Sequence, residues 1–366
     1  MNALERLIRE EIGAQGPMRF DRFMELALYH PEHGYYATPR PLGRTGDFFT
    51  SVSVGPLFGR LLVRQFRQMA ELLNEDEFWI VEQGAHNGQL ARDILEEYRS
   101  LPAFPGKLRY LIVERSRAAR EAQAQLLSEF GEQVRWVERI EDFAGGKPAG
   151  VYFSNELVDA FPVRVIERDA EWKEMRVTCE RGGSLGWCST AILDDELRDA
   201  VKELALPELP GYRTEINLEA RRWMRETAGF LRRGYILTID YGHPASLYYA
   251  PFRREGTLTC FREHRQGRDV LAEPGRNDIT AQVDFTALAH VGEKAGWATL
   301  GFVDQQRLLT GIVECESDAV RPADVRAFQT LTHPEHLGSR FKALVQGKDA
   351  PASVAGLRFA RTGQLD

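Results

Sequence analysis

The segment Phe78–Tyr98, FWIVEQGAHNGQLARDILEEY, constrains this chain more than any other, because it reads as a strand, a glycine turn and a helix in succession. Phe78 to Val81 form an apolar run that ends in Glu82, Gly84 and Gly88 bracket a tight turn, and Leu90, Ile94 and Leu95 recur at helical spacing. Glycine suits such a turn because, without a Cβ, its backbone takes positive φ and lets a ligand come close. The first turn of the following helix presents unpaired N–H groups beside it. The spacing is not the G-x-G-x-x-G of dinucleotide-binding folds, and Glu82 would set a negative charge against a diphosphate. A carboxylate suits a cationic ligand instead. The common cofactor that joins a nucleoside to an α-amino group and a positive sulfur is S-adenosylmethionine. The bland alternative is a turn that needs glycine for structure alone.

Beyond this turn, apolar runs alternate with helical stretches, the signature of a parallel sheet wound on both faces. Five strands are expected, at Phe78–Glu82, Leu108–Glu114, Gln133–Val137, Gly150–Ser154 and Tyr235–Asp240, with helices over Gln89–Tyr98 and Arg117–Phe130. Two later runs, Gly256–Phe261 and Ala298–Val303, are candidates to complete the sheet, and a helix over Phe285–Ala295 lies between them. The fold class is therefore α/β, a Rossmann-like sheet with helices on both faces. Residues 1–77 precede it as a helical and aromatic extension, and the core occupies 78–162 and 213–310. Period-2 alternation in VRVIER and EMRVTCE marks 163–212 as a β-rich insertion, and 311–366 read as a tail with one further helix.

The charge balance excludes some functions. A net charge of −7 argues against a general nucleic-acid binder, which must neutralise phosphates. No apolar run reaches the roughly 18–20 residues that span a bilayer. The start, MNALERLIREEIGAQG, is amphipathic and contains acids, unlike a signal or transit peptide, so a cytoplasmic location is expected. Cys179, Cys188, Cys260 and Cys315 show no C-x-x-C spacing and no histidine cluster accompanies them, so neither a metal site nor a disulfide framework is expected.

Further acids fall where the fold would use them. Glu114 ends the second strand, 26 residues beyond Gly88 (114 − 88), close to the distance at which a carboxylate grips ribose hydroxyls. Ile140, after the third strand, falls where an adenine ring would lie against an aliphatic side chain. The fourth strand runs into Asn155, Glu156 and Asp159, which should line the same crevice as the glycine turn, since ligands in open α/β sheets sit beyond the strands' C-terminal ends. Carboxylates there can hold a cationic or amine substrate in near-attack geometry. The structural alternative is a helix N-cap, with Asn155 capping a helix that begins at Glu156.

Six segments in order make the chain resemble the MidA-like family of class I S-adenosylmethionine-dependent methyltransferases: LALYHPEHGYYA (26–37), GDFFTS (46–51) with FGRLL (58–62), VEQGAHNGQLARDIL (81–95), SNELVDAFPV (154–163), TIDYG (238–242) and DITAQVDFTAL (278–288). The resemblance implies a class I methyltransferase sheet with a final antiparallel strand pair. It also implies methyl transfer to an arginine side chain of a protein, with a respiratory complex I subunit as the family's substrate type. A homodimer is compatible with it. By the same resemblance, Glu82, Gly84, Gly88 and Glu114 hold the cofactor, Asp47 contacts it, Tyr35 and Tyr36 wall the site, and Asn155, Glu156 and Asp159 face the methyl acceptor. The other readings of the same fold are a small-molecule methyltransferase and a non-catalytic assembly or binding protein. Two positions depart from the family pattern. His86 stands where the middle glycine of E-x-G-x-G-x-G is usual, and Val52 and Ser53 stand where Pro-Glu is common.

Overall fold

Strand pairing sets the architecture of this protein, for which the computed structural model describes residues 1–37, 50–101, 104–262, 265–316, 318–361 and 363–365. The run anticipated at Phe78 is β1 (Glu77–Gln83). It pairs in parallel with β2 (Lys107–Val113) on one side and β4 (Ala149–Asn155) on the other, while β3 (Val134–Val137) extends the sheet beyond β2. Next to β4 runs β5 (Arg233–His243), also parallel. β6 (Ala298–Asp304) and β7 (Phe341–Lys348) close this side, β7 lying antiparallel between β5 and β6. The order is 6-7-5-4-1-2-3. This is the class I methyltransferase arrangement with its antiparallel seventh strand. The order reverses between β1 and β4, so their C-terminal ends define the ligand crevice of such a sheet.

One strand was misassigned from the sequence. Gly256–Phe261 does not enter this sheet; Thr259–Arg262 instead pairs antiparallel with Arg265–Gly267 and with Asp278–Thr280. The place belongs to β7, from the tail that was expected to add only a helix. Its pattern, FKALVQGK, hides a buried strand behind polar residues. Gln346 is fully buried; its amide donates to the Ala289 carbonyl at 3.0 Å, while its Oε1 has no donor.

The chain divides into two units. One comprises Phe49–Leu157, Trp223–Gly242 and Phe285–Asp366 and contains the sheet. Its core joins Phe66, Phe78, Ile80, Phe153, Leu237 and Val345, all buried. Strands covered on both faces read as near-continuous apolar runs, and that is why β1, β2 and β4 were legible. Helix α1 (Leu57–Leu73) buries an apolar stripe and ends at Asn74, whose φ of 50° is the left-handed cap. Helix α2 (Gln89–Ser100) starts directly after Gly88, and helix α3 (Arg117–Leu126) is capped by the Ser116 hydroxyl, which accepts from the Ala119 N–H at 3.2 Å. The helix expected to reach Phe130 stops at Leu126 and gives way to a 3₁₀ stretch over Ser128–Gln133.

The other unit comprises Met1–Phe48, Val158–Arg222 and His243–Asp284. Arg164–Arg168, Trp172–Cys179, Leu185–Ala191 and Arg213–Ile216 form an antiparallel sheet, the β-rich character expected of the insertion, and Met18–Arg19 adds a short fifth strand. Helices Ala3–Gln15 and Phe20–Tyr29 share a buried cluster with this sheet through Leu4, Ile8, Phe20, Phe23, Val165 and Val177. Among the described residues no helix is long and apolar enough to cross a membrane.

Candidate active site

Parallel pairing puts the C-terminal ends of β1 to β5 on one edge of the sheet, and the segments that follow them carry most of the residues singled out in the sequence. After β1 the chain turns through Gly84, His86 and Gly88 at φ of 78°, 48° and 82°. The two glycines are needed for their backbone and for space. A Cβ on Gly84 would meet Leu157 Cδ1 at 2.8 Å, and one on Gly88 would meet the Gln123 side chain at 3.2 Å. At His86 an L side chain occupies the left-handed region, which costs on the order of 1–2 kcal/mol. His86 is exposed, but the protein beside its ring partly desolvates it, which lowers its pKa and favours the neutral imidazole.

Glu82 is 3% exposed and accepts a hydrogen bond from the Tyr110 hydroxyl at 2.7 Å. Burial is the main cause that pushes its carboxyl up to about 7; the Tyr110 bond opposes the shift and the charge of Glu114 adds to it. Glu114 follows β2. Its Oε1 accepts from the Ser116 N–H at 2.9 Å, its Oε2 lies 3.5 Å from the Gln123 amide, and burial raises its pKa. Ile140 opens a half-buried 3₁₀ turn after β3 over Ile140–Asp142.

Asn155 ends β4 and Glu156 follows it. The helix-cap alternative fails here, because Glu156 takes φ of 53° and no helix starts at it. The Glu156 N–H bonds to the Ile239 carbonyl at 3.0 Å, and Asp240, at the end of β5, accepts from the Leu157 N–H at 3.2 Å. These two bonds hold the turn in its strained form. The Asn155 amide donates to Glu156 Oε1 at 3.1 Å, and its buried Oδ1 has no donor. Gln83 is also fixed: the Trp223 indole donates to its Oε1 at 2.7 Å, and so does the Tyr152 hydroxyl.

Glu82, Gly84, Gly88, Glu114, Ile140, Asn155 and Glu156 thus share the unit that holds the sheet. Asp159 belongs to the other unit, where it is nearly buried and its carbonyl accepts from the Ala281 N–H at 2.9 Å. Tyr35 and Tyr36 lie in that unit too, their rings edge to face at 5.1 Å, with the Tyr36 hydroxyl bonded to Asp278 at 2.9 Å. Asp47 lies outside the described residues. Ser53 uses its hydroxyl locally, donating to the Thr50 carbonyl at 2.7 Å.

Three contributors escaped the sequence reading. Tyr110 carried a signal, since a hydroxyl inside a strand buried on both faces needs a partner. Asp240 carried a weaker one, as an acid closing an apolar strand. Gln123 carried none, being one more good helix former in a helix.

The acceptors along this edge suit one kind of ligand. The buried Glu82, the half-buried Glu114 and an unpaired amide oxygen match a cationic group and the hydroxyls of a diol, and are poorly matched to a diphosphate. The residues therefore fit S-adenosylmethionine. Among the described residues no group of three or more His, Cys, Asp or Glu side chains is arranged to hold a metal ion.

Comparison with known proteins agrees. The model of a family of S-adenosyl-L-methionine-dependent methyltransferases matches residues 57–303. The mitochondrial protein arginine methyltransferase NDUFAF7 homolog of Drosophila melanogaster is 28% identical over 93% of this chain and 84% of its own, and protein arginine methyltransferase NDUFAF7 of Danio rerio is 26% identical over 92% and 84%. A Burkholderia thailandensis protein crystallised with S-adenosyl-homocysteine superposes with a TM-score of 0.86 at 30% identity, covering 98% of this chain and 96% of that one.

Proposed function

The chain belongs to the family of S-adenosyl-L-methionine-dependent methyltransferases, and from that premise we propose that it methylates the guanidinium of an arginine in a protein substrate. The named activity of its relatives supports this acceptor, and the family resemblance makes a respiratory complex I subunit the substrate type to try first. The observation that carries the proposal is the end of β4. There the buried Asn155 oxygen lacks a donor beside a carboxylate held at positive φ, and a guanidinium supplies both the missing donor and the charge.

Glu82 and Glu114 bind by accepting hydrogen bonds, Glu82 at a cationic end and Glu114 at a cis-diol, with Ile140 against the base and Gly84 and Gly88 giving backbone room. When bound, S-adenosylmethionine supplies a methyl group on a positive sulfur that is open to in-line displacement. Methyl transfer needs little acid–base chemistry and much positioning, so the chain's contribution is to orient the acceptor nitrogen. Glu156, steered by Asn155, pairs with the guanidinium and directs one nitrogen. The nitrogen that gains a methyl gives up a proton to a carboxylate or to water.

Methyl-tritiated cofactor offered with arginine-bearing proteins and with small amines tests the acceptor. Labelling confined to small amines would overturn the protein-arginine reading. Glu156→Gln is expected to lower turnover ~100-fold or more while cofactor affinity stays within about threefold; equal turnover in the two proteins removes Glu156 from the catalytic role.

A further inference from the structure

Half of the residues of helix α3, RAAREAQAQL, are Ala or Leu, yet the one side chain it buries is a glutamine. Gln123 is 0% exposed, in a position where a helix packed on a sheet ordinarily places an apolar residue. Its amide is used at both ends. Nε2 donates to the His86 carbonyl at 2.8 Å and lies 3.5 Å from Glu114 Oε2, and Oε1 accepts from the Trp136 indole at 3.1 Å. One side chain therefore ties together the turn after β1, the acid after β2, and β3 itself. Its stem also closes against Gly88, where an added Cβ would lie 3.2 Å from Gln123 Cγ. A nonpolar residue of the same size would fill the space and leave the His86 carbonyl and the Trp136 N–H without this partner.

We propose that Gln123 is the positioning residue of the cofactor site, fixing the strained His86 turn and the Glu114 carboxylate relative to one another. This rests on the reading of Glu114 and the glycine turn as cofactor-binding. Donation to Glu114 Oε2 orients that carboxylate in its acceptor form, the form a cis-diol needs. Donation to the His86 carbonyl holds the one non-glycine residue of the turn at positive φ. Neither bond touches the acceptor side, so Gln123 acts on cofactor affinity and leaves the transfer step alone.

The test is calorimetric titration of S-adenosyl-homocysteine into wild type, Gln123→Met, Gln123→Glu and Glu114→Ala, with turnover measured at saturating cofactor. Gln123→Met keeps the stem and loses the amide. It is expected to bind about 10-fold or more weakly, with turnover at saturating cofactor within about threefold of wild type, and with an unfolding midpoint lowered by the two groups it leaves unpaired. Gln123→Glu sets a second carboxylate beside Glu114, so its binding is weak at pH 8 and, measured against wild type at the same pH because Glu82 itself protonates below about 7, recovers towards pH 5, where a protonated carboxyl again donates. Wild-type affinity in Gln123→Met overturns the inference. So does weak binding with a parallel loss of turnover at saturating cofactor, which marks a scaffold residue. If Glu114→Ala binds like wild type while Gln123→Met does not, the diol role of Glu114 falls and Gln123 stands through the turn alone. Failure of the wild type to bind overturns both.

Discussion

At the scale of single residues, the site consists of groups held in forms they do not ordinarily prefer. His86 and Glu156 both take positive φ without being glycine, and each is fixed by a hydrogen bond from or to a neighbouring element. Glu82 is the clearest case, because its carboxyl is pushed from 4.5 up to about 7 by burial. The sign of the pH effect follows. Below pH 4.5 the group is protonated in both folded and unfolded chains and contributes nothing. Between 4.5 and 7 the unfolded chain releases the proton that the folded chain keeps, so stability falls as pH rises. Above about 7 the full cost is present, on the order of 3 kcal/mol. Glu82→Gln, which can still accept from Tyr110, is expected to be more stable than wild type at pH 8 and equal to it near pH 4 by urea unfolding. A difference that does not change with pH would remove this account. A cationic ligand favours the ionised form, so binding near pH 7 should also release protons, visible as a buffer-dependent heat.

At the scale of elements, the turn after β1 is positioned by what surrounds it. Helix α1 is fastened to α2 by buried ion pairs, with Arg60 and Arg64 both meeting Glu97, at 3.2 Å and 2.9 Å. Arg60 also reaches Asp324 at 2.8 Å, and Arg64 reaches Glu316 at 2.7 Å, which ties the tail into the same unit. The tail's main contribution is β7, whose Phe341 is fully buried and stacks on Tyr241 with ring centroids 4.0 Å apart. Phe341→Ala is expected to cost about 3–5 kcal/mol in urea unfolding, and a chain ending at Arg340 is expected to lose its cooperative transition. A truncated chain that unfolds like the whole protein would show β7 to be an accessory strand.

At the scale of the molecule, each unit is assembled from three stretches of chain. The cofactor-side residues of the proposal that the structure describes fall in one of them. Binding of S-adenosyl-homocysteine should therefore slow amide hydrogen exchange most in 84–88, 114–123 and 155–157, and little in the strands Arg164–Arg168 and Leu185–Ala191. Strong protection of those two strands, with none in the turn, would place the ligand elsewhere. At a hundred times its Kd, the ligand should add roughly 2.7 kcal/mol to the stability of whatever it binds.

The order of the parallel strands, the glycine turn and the acids at the strand ends were legible because each is a local pattern: an apolar run buried on both faces, glycine where φ is positive, a carboxylate where a strand stops. What was not legible depends on partners distant in the chain. Gln346 disguised β7, since the Ala289 carbonyl that takes its amide hydrogen bond lies 57 residues away, and Gln123 looked like any helix former until His86, Glu114 and Trp136 surrounded it. The cap reading of Asn155 failed because the Ile239 carbonyl and Asp240, more than 80 residues away, hold Glu156 and Leu157 out of a helix. Local propensity and hydrophobic period determined the parallel strands and the glycine turn after the first of them. Whether a buried polar group is tolerated depends on which donor or acceptor the fold brings to it, and that the tertiary structure alone decided.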